Sequence, residues 1–381
     1  MRIGIVGTSW PYRGGLSAFN ERLARQVIKD GNEVEIFTFT LQYPDFLFPG
    51  KTQYSDSPKP EDLTIHRTMN SIGPWSWWKT ARAIKKARID LIVIKFWIPL
   101  MAPCLGTIAR IARRNGIRVV SILDNVIPHE PHFWDKWLIR YFVGSVDRFV
   151  AMSESVREDC WKFLPAARKE GVKLSPHPLY DNFGEAVDKR EARQHLGLPE
   201  DKTILLFFGF IRDYKGLDLL MRAYAKALTT DRRQELVLLV AGEFYNNGAQ
   251  YKDLERELGL EGKIVWRTDF IPDDQVRFYF SAADLIVQPY KSATQSGVTQ
   301  IAYHFERPML VTNVGGLAEI VPNGKVGYVC EVDERSVADA LVRFASIDKE
   351  KRDEMFHTNI QEEKKKYGWD KMTQLLTKSE D

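Results

Sequence analysis

The sequence predicts an α/β protein made of two domains in tandem, each with a parallel sheet flanked by helices. Three observations predict it. At 381 residues the chain is too long for one ordinary core. Short Val- and Ile-rich runs alternate with helical patterns in the order strand, helix, strand. That rhythm breaks once, near residue 178, and then restarts. Hydrophobic residues make up 44% of the chain and charged residues 28%, which leaves enough apolar surface for two cores.

In order along the chain, "RIGIVG", "EVEIFTF", "DLIVIKF", "RVVSIL" and "RFVAMS" read as buried strands, each of strand length and most rich in β-branched residues. Between them, "LSAFNERLARQVIKDG" keeps its apolar residues on one helical face and ends at Gly31, a C-cap glycine. "SWWKTARAIKKARID" is a second such helix and is strongly basic. "SPHPLYDNFGEAVDKREARQHLGLPEDK" breaks the alternation with Pro176 and Pro178 and reads as a linker. Beyond it, "TILLFFGFI" is a strand, "GLDLLMRAYAKALT" a helix, "ELVLLVAG" a strand and "YKDLERELGL" a helix. "KIVWRTDF", "DDQVRFYFSAA", "DLIVQPY", "VTQIAYHFE" and "PMLVTNV" continue the alternation, and the polar tail forms one or two closing helices. The predicted domains are residues 1–178 and 179–355, with a terminal helical piece over 356–381.

A net charge of +3 argues against a dedicated nucleic-acid binder. The charge is uneven, with 26 Lys and Arg against 17 Asp and Glu in residues 1–180, so the two halves face different ligands. Cys104, Cys160 and Cys330 are widely spaced and offer neither a disulfide framework nor a zinc pattern, as in a reducing compartment. "MRIGIVGTSW" is too short an apolar run for a secretory signal, and "FWIPLMAPCLGTIA" is short and carries two prolines, so no bilayer span is expected.

In open α/β sheets ligands gather beyond the carboxyl ends of strands, where helix N-termini favour phosphates. Four strand-exit loops therefore draw interest. "GTSWPYRGGLSAFN" places Gly14 and Gly15 before a helix, as an ordinary βα turn or as a site of close backbone approach. It lacks the G-x-G-x-x-G spacing of a dinucleotide fingerprint. "FGFIRDYKGLDLL" sets Arg212 and Lys215 before a helix, either as solvated surface cations or as a diphosphate clamp. "SATQSGVTQIA" is uncharged yet small and polar, and Gln295, Ser296, Gly297, Val298, Thr299 and Gln300 could cradle a phosphate through backbone N–H groups. "TNVGGLAEIV" offers Gly315 and Gly316, with Glu319 either favouring the helix dipole or accepting from a sugar hydroxyl.

"PYRGGLSAFNERLARQVIKDGNEVEIFT", "FFGFIRDYKGLDLLMRAYA", "ADLIVQPY", "ERPMLVTNVGGLAEIV" and "NGKVGYV" occur in this order over nearly the whole chain. Together they resemble the retaining family 4 glycosyltransferases, "glycosyl transferases group 1", of the GT-B fold. The resemblance implies two Rossmann-like domains facing across a cleft, with the terminal helix "YGWDKMTQLL" crossing back onto the first. It implies an acceptor in the first domain and a nucleoside diphosphate sugar, UDP- or GDP-linked, in the second, with no cofactor and no metal. By the same resemblance Gly15 approaches the donor phosphates, Lys215 and Arg212 stabilise the leaving diphosphate, Ile271 in "RTDFIP" frames the base, and Glu319 meets the ribose or base. The chain departs from the family pattern at three places. Phe210 stands where the family has Arg. Ala293 and Ile301 occupy the positions of its E-x7-E glutamates, with Gln295 and Gln300 the nearest polar substitutes. Leu123 and Asp124 stand where many members have His, leaving Asp124 or His129 for that role.

The function expected from the resemblance is transfer of a sugar to a saccharide or lipid-linked saccharide, with retention. The alternatives are a nucleotide-sugar epimerase, an inverting transferase, or a nucleotide-binding subunit without catalysis. "GPWSWWKTARAIKKAR" and "HFWDKWLIRYF" mix aromatics with cations in the basic half. They read either as half core and half solvated face, as a surface that stacks on sugars, or as a peripheral contact of a cytoplasmic protein with the inner face of the membrane.

Overall fold

The computed structural model describes residues 1–44, 52–55, 57–128, 132–230, 236–245, 248–293 and 296–378. The chain divides into two compact units. The N-terminal unit holds Met1–Pro178 together with Gly368–Asp381, and the C-terminal unit holds Leu179–Tyr367.

In the N-terminal unit the order is β1 (Arg2–Val6), α1 (Gly15–Lys29), β2 (Glu33–Leu41), β3 (Ile65–Asn70), α2 (Pro74–Lys86), β4 (Leu91–Phe96), α3 (Ala102–Arg114), β5 (Arg118–Leu123), α4 (Asp135–Val143), β6 (Arg148–Ala151), α5 (Glu154–Trp161) and β7 (Val172–Leu174). The strands form one parallel sheet in the order β3-β2-β1-β4-β5-β6-β7. β4 is buried along its whole length, as expected of a strand covered by helices on both faces. β3 and β7 escaped the sequence reading, and both are edge strands. An edge strand is half wet, so "IHRTMN" and "VKL" lack the continuous apolar run that marks the centre.

The C-terminal unit contains α6 (Lys189–Leu196), β8 (Thr203–Phe208), α7 (Leu217–Thr230), β9 (Leu236–Ala241), α8 (Ala249–Glu257), β10 (Ile264–Arg267), α9 (Asp273–Ala282), β11 (Leu285–Gln288), α10 (Gly297–His304), β12 (Met309–Thr312), α11 (Leu317–Ile320), β13 (Gly327–Cys330), α12 (Glu334–Ala345) and α13 (Lys349–Lys364). Its sheet is parallel, in the order β10-β9-β8-β11-β12-β13. The stretch expected to be a linker contains the boundary between the units, after Pro178, and from Leu179 on it is built into this unit. Asp188 caps α6 by accepting from the N–H groups of Arg190 and Glu191, and Arg193 reaches the buried Asp284 at 2.6 Å.

The tail also differs from expectation. Residues 356–367 stay with the C-terminal unit, because Phe356 and Ile360 of α13 are buried there, Phe356 against Phe344 and Tyr328. Only the last helix, α14 (Trp369–Thr377), belongs to the N-terminal unit. It packs on α1 through buried Trp369, Met372 and Leu376, with Trp369 5.0 Å from Phe19 ring to ring. Each such side chain contributes about 1.5–3 kcal/mol by leaving water. Thr373 donates to Asp30, and Arg148 donates to the carbonyl of Lys378. Among the described residues, no helix is long and apolar enough to cross a membrane.

Candidate functional site

In both sheets the strand order turns back on itself beside the first strand of the unit: β1 lies between β2 and β4, and β8 lies between β9 and β11. A crevice opens outside the carboxyl ends of the strands at such a reversal. In the C-terminal unit the loop after β8 carries Arg212 and Lys215, and β11 is followed by Ser296 at the start of α10. Two motifs some eighty residues apart in sequence thus border one crevice.

The chain joins them closely. Gly216 has φ 69°, and a Cβ there would lie 2.0 Å from the carbonyl oxygen of Pro289, so only glycine permits this approach. Lys291 N–H donates to Tyr214 O at 2.7 Å, and the Tyr214 and Tyr290 rings meet edge to face. Lys215 Nζ is 5.7 Å from the Tyr290 ring centre and only 3.1 Å from where a Cβ on Gly209 would stand. Gly209 therefore leaves room for the ammonium. Burial, and secondarily the charge of Arg212, pull the Lys215 ammonium down to about 7. Arg212 itself is exposed and lies over the Tyr245 ring at 3.7 Å.

Ser296 caps α10, its Oγ accepting from Val298 N–H at 3.2 Å and sharing a hydrogen bond with Tyr290 Oη. Thr299 N–H donates to Ser296 O. Two of the four N–H groups expected to face a phosphate are thus already bonded within the turn. Gly297 is needed because a Cβ there would come within 2.6 Å of the Tyr180 ring. Gln300 is fully buried, and neither atom of its amide has a partner among the described residues; the same holds for Gln288 at the end of β11. Gln300 thus sits inside the packing of α10 rather than on an open rim. Ile301, in the place of a family glutamate, is buried and apolar.

The remaining C-terminal candidates lie further along the same edge. Gly316 is buried and precedes α11, and Glu319 is exposed in the single turn of that helix. Ile271 is half-buried between β10 and α9, two strands from β8. His129 and Gln295 lie outside the described residues.

In the N-terminal unit Gly14 and Gly15 are exposed at the start of α1, Gly14 as its N-cap with φ 98°. Glu21 braces the loop before them, accepting from Ser9 Oγ, Trp10 N–H and Ser17 Oγ. Asp124 follows β5 and is engaged by the ammonium of Lys95 at 2.6 Å. Lys95 is only 2% exposed and also stands over the Phe19 ring. Burial pulls Lys95 down and pushes Asp124 up, each opposed by the other's charge. His177 is buried edge-on to Phe19 and held down to about 3 by desolvation and then by Lys95. Sequence reasoning missed Lys95 and His177. The signal was there for Lys95, a lone cation inside the apolar strand "LIVIKF".

The family described as Glycosyltransferase Family 4 matches residues 13–170, and that described as Glycosyl transferases group 1 matches residues 188–362. A D-inositol 3-phosphate glycosyltransferase of Catenulispora acidiphila is 30% identical over 60% of this chain and 54% of its own length. The chain spans about half the length of that relative. The N-acetyl-alpha-D-glucosaminyl L-malate synthase of Bacillus anthracis is 24% identical over 95% of this chain and 90% of its own. Among solved structures, HepE of Anabaena in complex with UDP superposes with a TM-score of 0.73 at 16% identity, covering 98% of both chains. The sucrose-phosphate synthase of Thermosynechococcus elongatus superposes at 0.72 and 17% identity, again over 98% of each. Two family matches in sequence order, one within each unit, and a shared two-Rossmann architecture lead to one conclusion: the chain belongs to the family 4 glycosyltransferases, of the GT-B fold.

Proposed function

We propose that the chain transfers a glycosyl group from a nucleoside diphosphate sugar, UDP- or GDP-linked, to a saccharide or lipid-linked saccharide, with retention and without a metal ion. The observation that carries this reading is the partly buried Lys215, held down to about 7 beside Arg212 at the crevice between β8 and β11. A desolvated ammonium with a second cation near it is a poor surface ornament and a good receptor for a dianion. Membership of the family and the UDP-glucose complex solved for HepE support the choice of donor.

In this reading Lys215 and Arg212 take the charge that develops on the leaving diphosphate. The N–H groups of Ser296 and Gly297, at the start of α10, assist them. Gly316, Glu319 and Ile271 hold the rest of the donor. The bond from the anomeric carbon to the diphosphate oxygen breaks, and the bond to the acceptor oxygen forms on the same face. The acceptor proton passes to the departing phosphate. Asp124 is already bonded to Lys95, so it serves as the charge partner of that lysine and not as a free base. Such a route needs no carboxylate at Ala293 or Ile301.

The test is a thermal-shift panel with UDP, GDP, ADP and their sugars, followed by turnover with the donor that stabilises most. Retention is read from the anomeric configuration of the product. Activity survives chelator; a complete loss restored by added metal refutes the metal-free route. Nucleotide binding with neither transfer nor donor hydrolysis would leave a binding subunit in place of an enzyme.

A further inference from the structure

We propose that the N-terminal unit carries a docking rim for the surface of an anionic lipid bilayer, formed where α2, α3 and α4 begin. α2 packs on α3 and α3 on α4, so the three make one layer. Each returns from the carboxyl end of one strand to the amino end of the next in an all-parallel sheet, so all three start at the same end of the layer. At that end large apolar side chains stand in water. Trp75 is 82% exposed and Trp78 also exposed at the start of α2, with Ile72 just before it. Leu100 precedes α3. Phe133 is 78% and Trp137 65% exposed around the start of α4, and the rings of Phe133, Trp134 and Trp137 meet edge to face. The middle tryptophan of "WSWW", Trp77, is by contrast packed against the core and donates to Asn70 O. The exposed set is therefore a selected one.

The same helices carry nine Lys or Arg and a single carboxylate. That carboxylate, Asp135, is buried and accepts from His132 N–H. Lys79, Arg82, Lys136 and Arg140 are exposed. At 1.5 Å per residue they lie within about 12 Å of the helix starts, near one Debye length. The Arg82 guanidinium stacks over Trp78 at 4.2 Å, so cation and ring present together. Aromatics that settle at the headgroup level, beside cations that meet a negative surface, describe an interfacial contact. A second copy of the chain would bring the same four exposed cations to the rim and be repelled by like charge. The rim lies at the strand-carboxyl end, as do Gly14, Gly15 and Asp124, so docking presents that end of the unit to an acceptor held in lipid. This last point rests on the acceptor reading above; the docking does not.

The experiment is co-sedimentation of the full chain, without nucleotide, on phosphatidylcholine vesicles and on mixed phosphatidylcholine–phosphatidylglycerol vesicles, at low and high salt. The protein pellets with the mixed vesicles at low salt, is released by high salt, and stays in solution with phosphatidylcholine alone. W75S/W78S and F133S/W137S each weaken binding at least about tenfold while thermal unfolding is unchanged. K79Q/R82Q weakens it about fivefold for each cation removed. A wild-type protein left in the supernatant at low salt, or aromatic variants that bind as wild type, overturns the proposal. Self-association by light scattering that the aromatic variants abolish gives the rim to a second copy and overturns it too. A thermal shift with UDP that persists while vesicle binding is absent separates failure of the docking from failure of the donor reading.

Discussion

Lys215 makes the donor reading quantitative. With its ammonium at about 7, half of the free protein carries the charge at pH 7 and only about one molecule in a hundred at pH 9. A diphosphate binds the charged form and raises the lysine toward its ordinary value, so binding draws in a proton. Affinity therefore falls as pH rises through the free-protein value, by about 50-fold between pH 7 and 9. The second ionisation of a phosphate, near pH 6, is complete over this window and adds no slope of its own. Titration calorimetry with UDP, in buffers of different ionisation enthalpy, reads both the affinity and the proton taken up. Lys215→Arg keeps a permanent cation and should flatten the profile, whereas Lys215→Ala should bind weakly at every pH and lose turnover by orders of magnitude. A wild-type profile flat from pH 7 to 9, or an Arg variant with the same slope, refutes the assignment of Lys215 to the diphosphate.

Gly216→Ala must place a Cβ against Pro289 O at a positive φ and should cost more than about 2 kcal/mol in urea unfolding. Gly259→Ala, also at positive φ but with open space around it, should cost only about 1 kcal/mol and serves as the control. Lys95→Met strands Asp124 without its partner and should destabilise by about 3 kcal/mol at neutral pH. Because burial already raises the Asp124 carboxyl, that loss should be full at neutral pH and vanish as pH falls through the unfolded value; a loss independent of pH would show that Asp124 is not its source. The three cysteines are buried and burial pushes each thiol up to about 12, so none should react with a thiol reagent at pH 8 in the folded protein. Rapid labelling of any one would contradict its burial.

The central strands were legible because burial on both faces imposes an unbroken apolar run, as in "LIVIKF" and "TILLFF". β3 and β7, at the sheet edges, were not read as strands, since solvent on one side relaxes that demand; β13, also at an edge, is mostly buried but is only four residues long and begins with Gly327. At the candidate site, residue types and spacing drew attention to Arg212 and Lys215 but gave nothing of the environment of the lysine. Its titration depends on Gly209 and on neighbours brought in by strand order, and strand order is a long-range property. Gln300 shows the opposite failure. A glutamine beside a small polar turn at a helix start reads as a ligand contact, yet the helical register turns it into the interior, unpartnered among the described residues. Lys95 and Asp124 are almost thirty residues apart, and only the pairing of β4 with β5 makes them neighbours.

The N-terminal unit is not one continuous length of chain: α14 follows the whole of the C-terminal unit, yet its Trp369, Met372 and Leu376 fill the surface of α1. On the ribosome the first domain therefore waits, with the apolar face of α1 uncovered, through the synthesis of nearly two hundred further residues. A fragment ending at Pro178 would keep that defect permanently, and adding residues 368–378 as a separate peptide would be the way to repair it.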